Sequence, residues 1–312
     1  MEYTVYLLHF TTGVHFGTGS LGDSGIGIHA DTLFSALCIE AASLHGGDGP
    51  QMLADAVQNG ELRLSDLQPF IGDELYLPKP LLQIRKEKDG DSTVKKSFKK
   101  LHWIPASKFA TYLDGNLDPL AEVEKLGSLG KFEVRTMAAS RSPEKIEAGD
   151  TLPYSVGVYK FADGNGLYLL VGFGSVDIKL LFERLLDSLS YTGIGGKRSA
   201  GLGRFTVEPC QVDESFSRRL EGDGVPAMTL SVAMATDEQL EQVLDGAQYL
   251  LQKRSGFVAS ENYATEPHRK RDFYAFCAGS CFRTRFSGGV FDVSSGGSHP
   301  VYRYAAPLWL EV

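Results

Sequence analysis

Cysteine is scarce in this sequence of 312 residues, which has only Cys38, Cys210, Cys277 and Cys281. Four scattered cysteines do not make a disulfide scaffold. Cys277 and Cys281 are closely spaced, but a structural zinc site needs a second pair of ligands that the sequence does not supply. We therefore expect no metal site and a fold that rests on an apolar core.

Long hydrophobic runs are also absent. Residues 3–22 carry no charged side chain, but they include four glycines, four threonines and two histidines, and are too polar to span a bilayer. Glu2 stands where a secretory signal would carry basic residues. The sequence therefore predicts a cytoplasmic protein that does not associate with membranes.

Positive charge is in the minority, with 31 Lys and Arg against 39 Asp and Glu and a formal net charge of −8. This excludes a protein coated in basic charge, but it does not exclude a local basic face. Residues 83–108 hold eight basic side chains against three acids, whereas residues 213–245 hold eight acids against two arginines. Such a local concentration favours binding of a polyanion on one face, and a solvated hairpin of mixed charge is the alternative.

The N-terminal region predicts a strand, a glycine-rich loop and a helix in succession. Residues 3–10 are aromatic, aliphatic and β-branched, which is typical of a buried strand. Six glycines follow between Gly13 and Gly27, a density that indicates unusual backbone dihedral angles or close approach of a partner. We expect Asp31 to cap the next helix. The apolar face of that helix is formed by Leu33, Phe34, Leu37, Cys38, Ala41 and Leu44.

Strand and helix signals return later in the chain. Residues 154–160 and 167–173 flank an Asp-Gly-Asn-Gly turn at 163–166, which predicts a β-hairpin. A helix with an apolar stripe over 178–189 follows, and residues 204–207 lead out of it as a strand. The combined β–α–β–β–α–β order is that of a ferredoxin-like domain.

The C-terminal third repeats these signals more weakly. Thr236 and Gln239 match a capping box that opens a helix, and strand-like runs lie at 228–234, 273–277, 281–286, 301–304 and 308–312. The predicted fold class is therefore α+β, with two ferredoxin-like domains and a glycine-rich loop. The domains are predicted at 1–210, with a basic insertion at about 83–150, and at 211–312, with an acid-rich linker at 211–226.

The most distinctive motif is Gly193–Arg204, which reads Gly-Ile-Gly-Gly-Lys-Arg-Ser-Ala-Gly-Leu-Gly-Arg. Its five glycines and three cations, without an acid, suit phosphate binding by outward-pointing backbone N–H groups, Lys and Arg. It is not a Walker A loop, because Tyr191 stands where a glycine is needed and Arg198 where Ser or Thr would hold magnesium. A G-x-G-x-x-G match at residues 17–22 does not open a helix directly, so it is not a dinucleotide site.

A catalytic site is weakly supported. His15, His29 and Asp31 could form an acid–base cluster near the first glycine-rich loop, but no serine or cysteine stands in an activating arrangement there, and Asp31 is explained as a helix cap. We expect no assembled active site, although these residues alone leave a histidine-based RNA cleavage site open.

Taken together, these features resemble the RAMP superfamily of CRISPR proteins. The resemblance rests on His15-Phe16-Gly17, on Ile28–Leu37 and on Tyr191–Gly203, and it extends to Arg254–Phe257, Ala278–Ser280 and Pro300–Tyr304. In particular, the chain is similar to the subunit that holds the 5′ end of the guide RNA in type III-A (Csm) effector complexes. The similarity is weakest over residues 83–150.

The resemblance implies a non-catalytic ribonucleoprotein subunit that acts in antiviral defence without a cofactor. Its partners would be the crRNA 5′ tag, the large polymerase-like subunit, the adjacent backbone RAMP subunit and, indirectly, target RNA. The insertion would supply a thumb hairpin that displaces a base where guide meets target. The implied RNA-binding residues are Gly193, Gly195, Gly196, Lys197, Arg198, Ser199, Gly201 and Gly203 of the loop, with His15, Phe16, Gly17, Thr18, His29, Arg141 and Arg254.

Two other functions compete with this interpretation. One is a stand-alone RAMP-type CRISPR RNA-processing endonuclease that uses His15 or His29. The other is a nucleotide-binding enzyme that uses the loop Gly193–Gly203.

Overall fold

The computed structural model describes residues 1–84, 92–138, 153–211, 214–260 and 262–312, so the candidate Arg141 lies outside the described residues, as do the basic residues Arg85, Lys86 and Lys88. The helices are α1 (Ala30–His45), α2 (Gly49–Gln58), α3 (Ser92–Lys100), α4 (Phe109–Leu113), α5 (Pro119–Leu126), α6 (Val176–Thr192), α7 (Glu214–Glu221) and α8 (Asp237–Leu244). None of the helices in these segments has the length and the apolar character needed to cross a membrane.

The strands fall into an N-terminal and a C-terminal set. The first is β1 (Glu2–Phe10), β2 (Leu62–Leu64), β3 (Gln68–Ile71), β4 (Glu74–Pro78), β5 (Trp103–Pro105), β6 (Gly130–Ala138), β7 (Pro153–Phe161), β8 (Asn165–Phe173) and β9 (Phe205–Cys210). The second is β10 (Ala227–Thr229), β11 (Leu251–Arg254), β12 (Phe273–Phe276), β13 (Cys281–Phe282), β14 (Val290–Asp292), β15 (Tyr302–Tyr304) and β16 (Trp309–Glu311).

One antiparallel sheet organises the N-terminal two-thirds of the chain. Its strand order is β5–β4–β3–β8–β1–β9, and β2 and β3 pair with successive stretches of β8. Side chains of β1 alternate between two cores: Tyr6 and Leu8 pack in the core that contains α1 and α6, and Val5 packs on the opposite face. The strand is apolar almost throughout because both faces of the sheet are covered.

The strand order confirms a mixed α+β class. The arrangement β3–β8–β1–β9, with α1 after β1 and α6 after β8, is consistent with the predicted β–α–β–β–α–β order. One neighbour of β8 in the sheet differs from the expectation. The strands β2 and β3 pair with β8 at the edge where residues 154–160 were expected to pair. The apolar face of α1 is buried or half-buried except at Leu44, which is 48% exposed.

The predicted hairpin of β7 with β8 is wrong. β7 pairs instead with β6 over nine residue pairs, from Gly130–Phe161 to Ala138–Pro153. The reason is that β8 lies in the centre of the main sheet, where β1 occupies one edge and β2 and β3 the other. With no free edge on β8, the turn at 163–166 joins two strands that belong to different sheets.

The C-terminal third is less regular than a second ferredoxin-like domain would be. Its strands divide into a three-stranded sheet, β13–β10–β16, and the pairs β11–β12 and β14–β15. The predicted linker at 211–226 contains α7, whose Phe216 and Leu220 are buried, so it is not an extended connection. Thr236 does precede α8, but its side chain makes no capping hydrogen bond to the helix.

The N-terminal two-thirds and the C-terminal third of the chain share one hydrophobic core. Val232, Ala275, Val290, Tyr304 and Ala306 from the C-terminal part pack in the same buried cluster as the inner faces of α1 and α6. The hydroxyl of Tyr304 also accepts a hydrogen bond from the Leu64 N–H at 2.7 Å. The predicted division at residue 210 stays a prediction, and the packing across it is continuous.

Candidate nucleic-acid interface

The segment 193–203, called here the glycine loop, connects α6 to β9. Its glycines are required by backbone conformation, because Gly193, Gly195, Gly201 and Gly203 all have φ between +81° and +98°. Space is short as well: a Cβ on Gly203 would lie 2.1 Å from the Ile194 carbonyl oxygen. Lys197 adopts φ +60° without being glycine, so the loop holds its two central cations in a fixed turn.

The prediction that the amides of the glycine loop point outward is wrong for much of the loop. The N–H of Ile194 donates to the Gly203 carbonyl at 2.9 Å, and the N–H of Gly203 donates to the Gly13 carbonyl at 3.0 Å. The N–H of Gly196 donates to the His15 carbonyl at 2.8 Å. The first of these hydrogen bonds closes the loop on itself, and the other two attach it to the N-terminal glycine-rich segment, so these N–H groups stabilise the fold and are not free for a ligand.

The two cations of the glycine loop occupy different surroundings. The Lys197 ammonium lies 4.5 Å from the ring centre of Tyr154 and donates to its hydroxyl at 3.2 Å. The Arg198 side chain lines a large cavity, and in the described part of the chain it forms no ion pair. Arg198 is therefore the cation of the loop that is placed to meet a ligand in that cavity.

The N-terminal glycine-rich segment forms the neighbouring wall. Phe16 is buried, and its carbonyl accepts a hydrogen bond from the Gly25 N–H at 2.7 Å, which folds the segment back on itself. Gly17 and Thr18 line the cavity. His15 is buried and its Nδ1 lies 2.7 Å from the Gly157 carbonyl oxygen, so this side chain is part of the framework.

His29 lies on the cavity wall and is held by Asp66. Its Nδ1 is 2.6 Å from the Asp66 Oδ2, its Nε2 is 3.4 Å from the Gln252 amide nitrogen, and 38% of its side chain is exposed. The other oxygen of Asp66 accepts from the N–H groups of Ala30 and Val232. Asp66 therefore connects the start of α1 to the C-terminal part of the chain through these hydrogen bonds.

The prediction that Asp31 caps α1 is wrong. The residue before the helix is His29, and the Asp31 carboxylate lies inside the first turn, 1% exposed, where it binds Arg254 and Arg303. Burial by itself would raise the pKa of Asp31, but the two guanidinium groups outweigh burial and hold that pKa below its usual value. Arg254, predicted to bind RNA, therefore reaches the cavity with part of its charge already compensated.

A single cavity of about 850 Å³ unites these elements. Of the predicted RNA-binding residues it is lined by Phe16, Gly17, Thr18, His29, Gly195, Gly196, Arg198 and Arg254. Those described but placed elsewhere are His15, Gly193, Lys197, Ser199, Gly201 and Gly203. The cavity therefore lies between the two glycine-rich segments, the start of α1 and the C-terminal strand β11.

Sequence reasoning missed several lining residues, of which Lys270 is the most important. Its ammonium lies 3.5 Å from the Ser35 hydroxyl, and burial together with Arg303 lowers its pKa. The run His268-Arg269-Lys270-Arg271 was the available signal. Phe257, 61% exposed, and Trp103 add aromatic surface to the same walls.

Part of the predicted basic stretch forms an amphipathic helix. Residues 92–100 are α3, in which Ser97 is buried, Phe98 packs on the core, and Lys96, Lys99 and Lys100 are exposed. Among the described residues, no group of three His, Cys, Asp or Glu side chains is placed to hold a metal ion. The four cysteines are all free thiols.

The family model and the relatives found by comparison with known proteins all carry the same family name. A family model described as the CRISPR Csm4 C-terminal domain matches residues 223–312. A protein of Mycobacterium tuberculosis (strain CDC 1551 / Oshkosh) named CRISPR system Cms protein Csm4 is 42% identical over 296 residues, covering 95% of this chain and 93% of the relative. Its namesake in Streptococcus thermophilus is 32% identical over 321 residues, covering 100% and 99%.

Solved structures show the same fold. A chain in the crystal structure of the Csm3-Csm4 subcomplex of the type III-A CRISPR-Cas interference complex superposes with a TM-score of 0.65 at 18% identity, covering 99% of each chain. A chain in the crystal structure of the Csm1-Csm4 cassette in complex with AMPPNP gives a TM-score of 0.57 at 18% identity, covering 100% of this chain and 98% of that one.

Proposed function

The chain belongs to the Csm4 family, and from that premise we propose that it is the non-catalytic subunit that binds the crRNA 5′ tag in a type III-A CRISPR interference complex. The observation that carries the proposal is the 850 Å³ cavity, because residues far apart in the sequence meet there around Arg198, Arg254 and Lys270. A chain of net charge −8 that gathers cations around one cleft is suited to a polyanion at that cleft.

Phosphate contacts and base contacts would come from different walls. Arg198 and Lys270 supply charge for phosphate oxygens, since neither forms an ion pair within the described segments. Phe257 and Trp103 supply rings on which unpaired bases stack, a mode typical of single-stranded RNA. The 5′ tag is single-stranded in this proposal, so both kinds of contact can be made at once.

The thumb is proposed to grow from the β6–β7 ribbon. β7 packs on both glycine-rich segments: the N–H of Gly157 donates to the Leu21 carbonyl, and Val156 and Val158 pack with Leu202. β6 is the outer strand, with Phe132 46% and Val134 56% exposed. Residues 139–152, which connect the two strands, lie outside the described part. A ribbon anchored beside the cavity is well placed to reach the guide where it leaves the tag.

The proposed partners follow from the family. One related structure contains Csm3 with Csm4 and another contains Csm1 with Csm4, and we place the chain between a large polymerase-like subunit and the first backbone RAMP subunit. α8 carries the exposed acids Asp237, Glu238 and Glu241, which are available for a basic partner surface. Cutting of target RNA and nucleotide chemistry are assigned to those neighbours, which would work inside the cell.

A photocrosslinking experiment tests the proposal. The assembled complex is purified through an affinity tag on this chain, with p-benzoylphenylalanine in place of Thr18 on the cavity wall or, as control, in place of Leu180, which is 59% exposed on α6. Crosslinks from position 18 should map to the repeat-derived 5′ end of the bound RNA, and position 180 should give none. Crosslinks spread along the guide, or small RNA with random 5′ ends, would contradict the proposal.

A further inference from the structure

A second cavity of about 270 Å³ lies at the start of β1. It is lined by Met1, Tyr3, Arg63, Leu220, Arg285, Phe286, Ser287, Pro307, Leu308 and Trp309. It shares no lining residue with the large cavity. Arg63 of the small cavity and Asp66 of the large one are only three residues apart in the sequence, yet the two cavities have separate linings, so the small cavity needs its own explanation.

Two arginines on its wall lack a carboxylate partner. Arg285 Nη2 donates to the Gly222 carbonyl at 2.7 Å and Arg63 Nη1 donates to the Val57 carbonyl at 2.6 Å, which fixes both guanidinium groups. Neither forms an ion pair with any described Asp or Glu, and the Nε of Arg285 is buried without a hydrogen-bond partner. Both side chains are half-buried. Fixed, partly desolvated charges without a counter-charge are costly unless an anion joins them.

The positive charges of Arg63 and Arg285 both influence the hydroxyl of Tyr3. Burial raises the pKa of the Tyr3 hydroxyl, and Arg285 and Arg63 each oppose that rise. Glu221 acts in the opposite sense on Tyr3, yet it makes no ion pair with either arginine in the described part. The cavity therefore presents positive charge at the end where Tyr3 lies.

The rest of the wall is apolar. Leu220, Phe286 and Leu308 are buried, and the half-buried Trp309 is fixed by a hydrogen bond from its Nε1 to the Phe286 carbonyl at 3.3 Å. A volume of 270 Å³ is below the roughly 300–1,000 Å³ of sites for drug-sized ligands. A single side chain or small acid suits this space better than a nucleotide does.

We propose that this cavity binds a carboxylate carried beside an apolar or aromatic group, presented by a partner protein as an acidic side chain next to an aromatic one. The two guanidinium groups would take the carboxylate, and Phe286, Leu308 and Trp309 would cover the apolar group. This site is independent of the RNA-binding proposal, since the two cavities share no lining residue.

Matched probes test the site on the unaltered cavity. The sequence has two tryptophans, so Trp103→Phe leaves Trp309 as the only indole and its fluorescence reports on this cavity alone. We expect 3-phenylpropanoate to change that fluorescence saturably, and 3-phenylpropanamide, which lacks the charge, to bind at least about tenfold more weakly. Equal binding of acid and amide, equal binding of inorganic phosphate, or no saturable change with the acid would each overturn the proposal.

Peptides test whether the ligand is a protein segment, and conservative variants test whether Arg63 and Arg285 bind its carboxylate. Acetyl-Phe-Asp-Phe-amide should bind and its Asn counterpart should not; if only the small acid binds, the partner-protein assignment is wrong. Arg63→Lys and Arg285→Lys keep the charge but lose the planar fork, and each should weaken acid binding at least about fivefold, whereas Arg184→Lys on α6 should not. Unchanged acid binding in both cavity variants, with unchanged melting temperatures, would overturn the assignment to these arginines.

Discussion

Asp31 on α1 and Arg254 on β11 are 223 residues apart in the sequence and are joined by a bidentate ion pair. Arg254 Nε lies 2.9 Å from Asp31 Oδ2, and Arg254 Nη2 lies 2.7 Å from Oδ1. Arg303 contacts the same carboxylate, which is 1% exposed. One buried acid therefore holds the start of α1, β11 and β15 together beside the large cavity.

Removal of the Asp31 charge should be strongly destabilising. Asp31→Asn leaves Arg303, 6% exposed, without its counter-charge, and breaking a buried pair in this way costs about 3–5 kcal/mol. Urea unfolding followed by circular dichroism measures the change. Arg254→Gln is the matched control and should cost less, because the Arg254 side chain is 20% exposed and Arg303 still compensates the acid. Equal losses for the two variants would contradict the ranking.

The same carboxylate sets a pH dependence with a definite sign. The pKa of Asp31 is lowered in the folded protein, so its stabilising contribution is complete above the unfolded-state value near 3.8 and is lost as the pH falls through the lower folded value. The stability difference between the natural chain and Asp31→Asn should therefore be constant from about pH 8 to pH 5 and shrink only below about pH 4. Unfolding free energies measured across that range check this, and a difference already shrinking near pH 6 would contradict it.

The glycine loop should be sensitive to substitution where its backbone is most constrained. Gly203→Ala places a Cβ 2.1 Å from a carbonyl oxygen at φ +81°, and should lower the free energy of unfolding by at least about 1–3 kcal/mol. Gly17→Ala is the control, because a Cβ there meets no atom within 4 Å, and should change stability by less than about 0.5 kcal/mol. Thermal or urea unfolding of both variants is the measurement, and similar losses would show that strain is not the cause.

Arg198 should contribute more to RNA binding than Lys197 does. If Arg198 neutralises one guide phosphate, Arg198→Ala should flatten the logarithmic salt dependence of 5′-tag binding by roughly 0.7. Lys197→Ala should flatten it less, because that ammonium is engaged with Tyr154. Fluorescence anisotropy with tag RNA at several salt concentrations measures the slopes, with the exposed Arg184→Ala on α6 as control. An unchanged slope in Arg198→Ala would remove this residue from the RNA site.

The purified chain should not cleave repeat RNA at either candidate histidine. His15 is buried, and both ring nitrogens of His29 are occupied, Nδ1 by Asp66 and Nε2 by the Gln252 amide, so we expect neither ring to exchange a proton with RNA. Gel analysis of labelled repeat RNA after incubation measures this directly. Specific cleavage that persists through purification and disappears in His29→Ala would instead support the endonuclease interpretation.

Local patterns in the sequence were sufficient to predict the strand β1, the helices α1 and α6, and the position of the glycine loop between α6 and β9. Apolar periodicity and glycine density can be recognised from neighbouring residues alone, so they predict these elements without knowledge of tertiary contacts. The convergence of Phe16, His29, Arg198 and Arg254 on one cavity was anticipated through family resemblance and not through spacing.

Other features depend on contacts that no local pattern encodes. The partners of Asp31 come from two distant strands, so a capping role was the simplest local explanation. The pairing of β7 with β6 follows from the full occupation of the edges of β8, which is a property of the whole sheet. Lys270 reaches the cavity only through the fold of the C-terminal part, and its sequence neighbours are equally basic.

The continuous core across residue 210 bears on how the chain can be dissected. Val232, Ala275 and Tyr304 complete the packing of α1 and α6, so a fragment that ends at residue 210 would expose the face they cover. A fragment restricted to 223–312, the span of the matching family model, would lose the other side of the same contact. We therefore expect proteolytic trimming or separate expression of the two parts to be a poor route to soluble modules, and we expect the shared core to be completed only after β15 has left the ribosome.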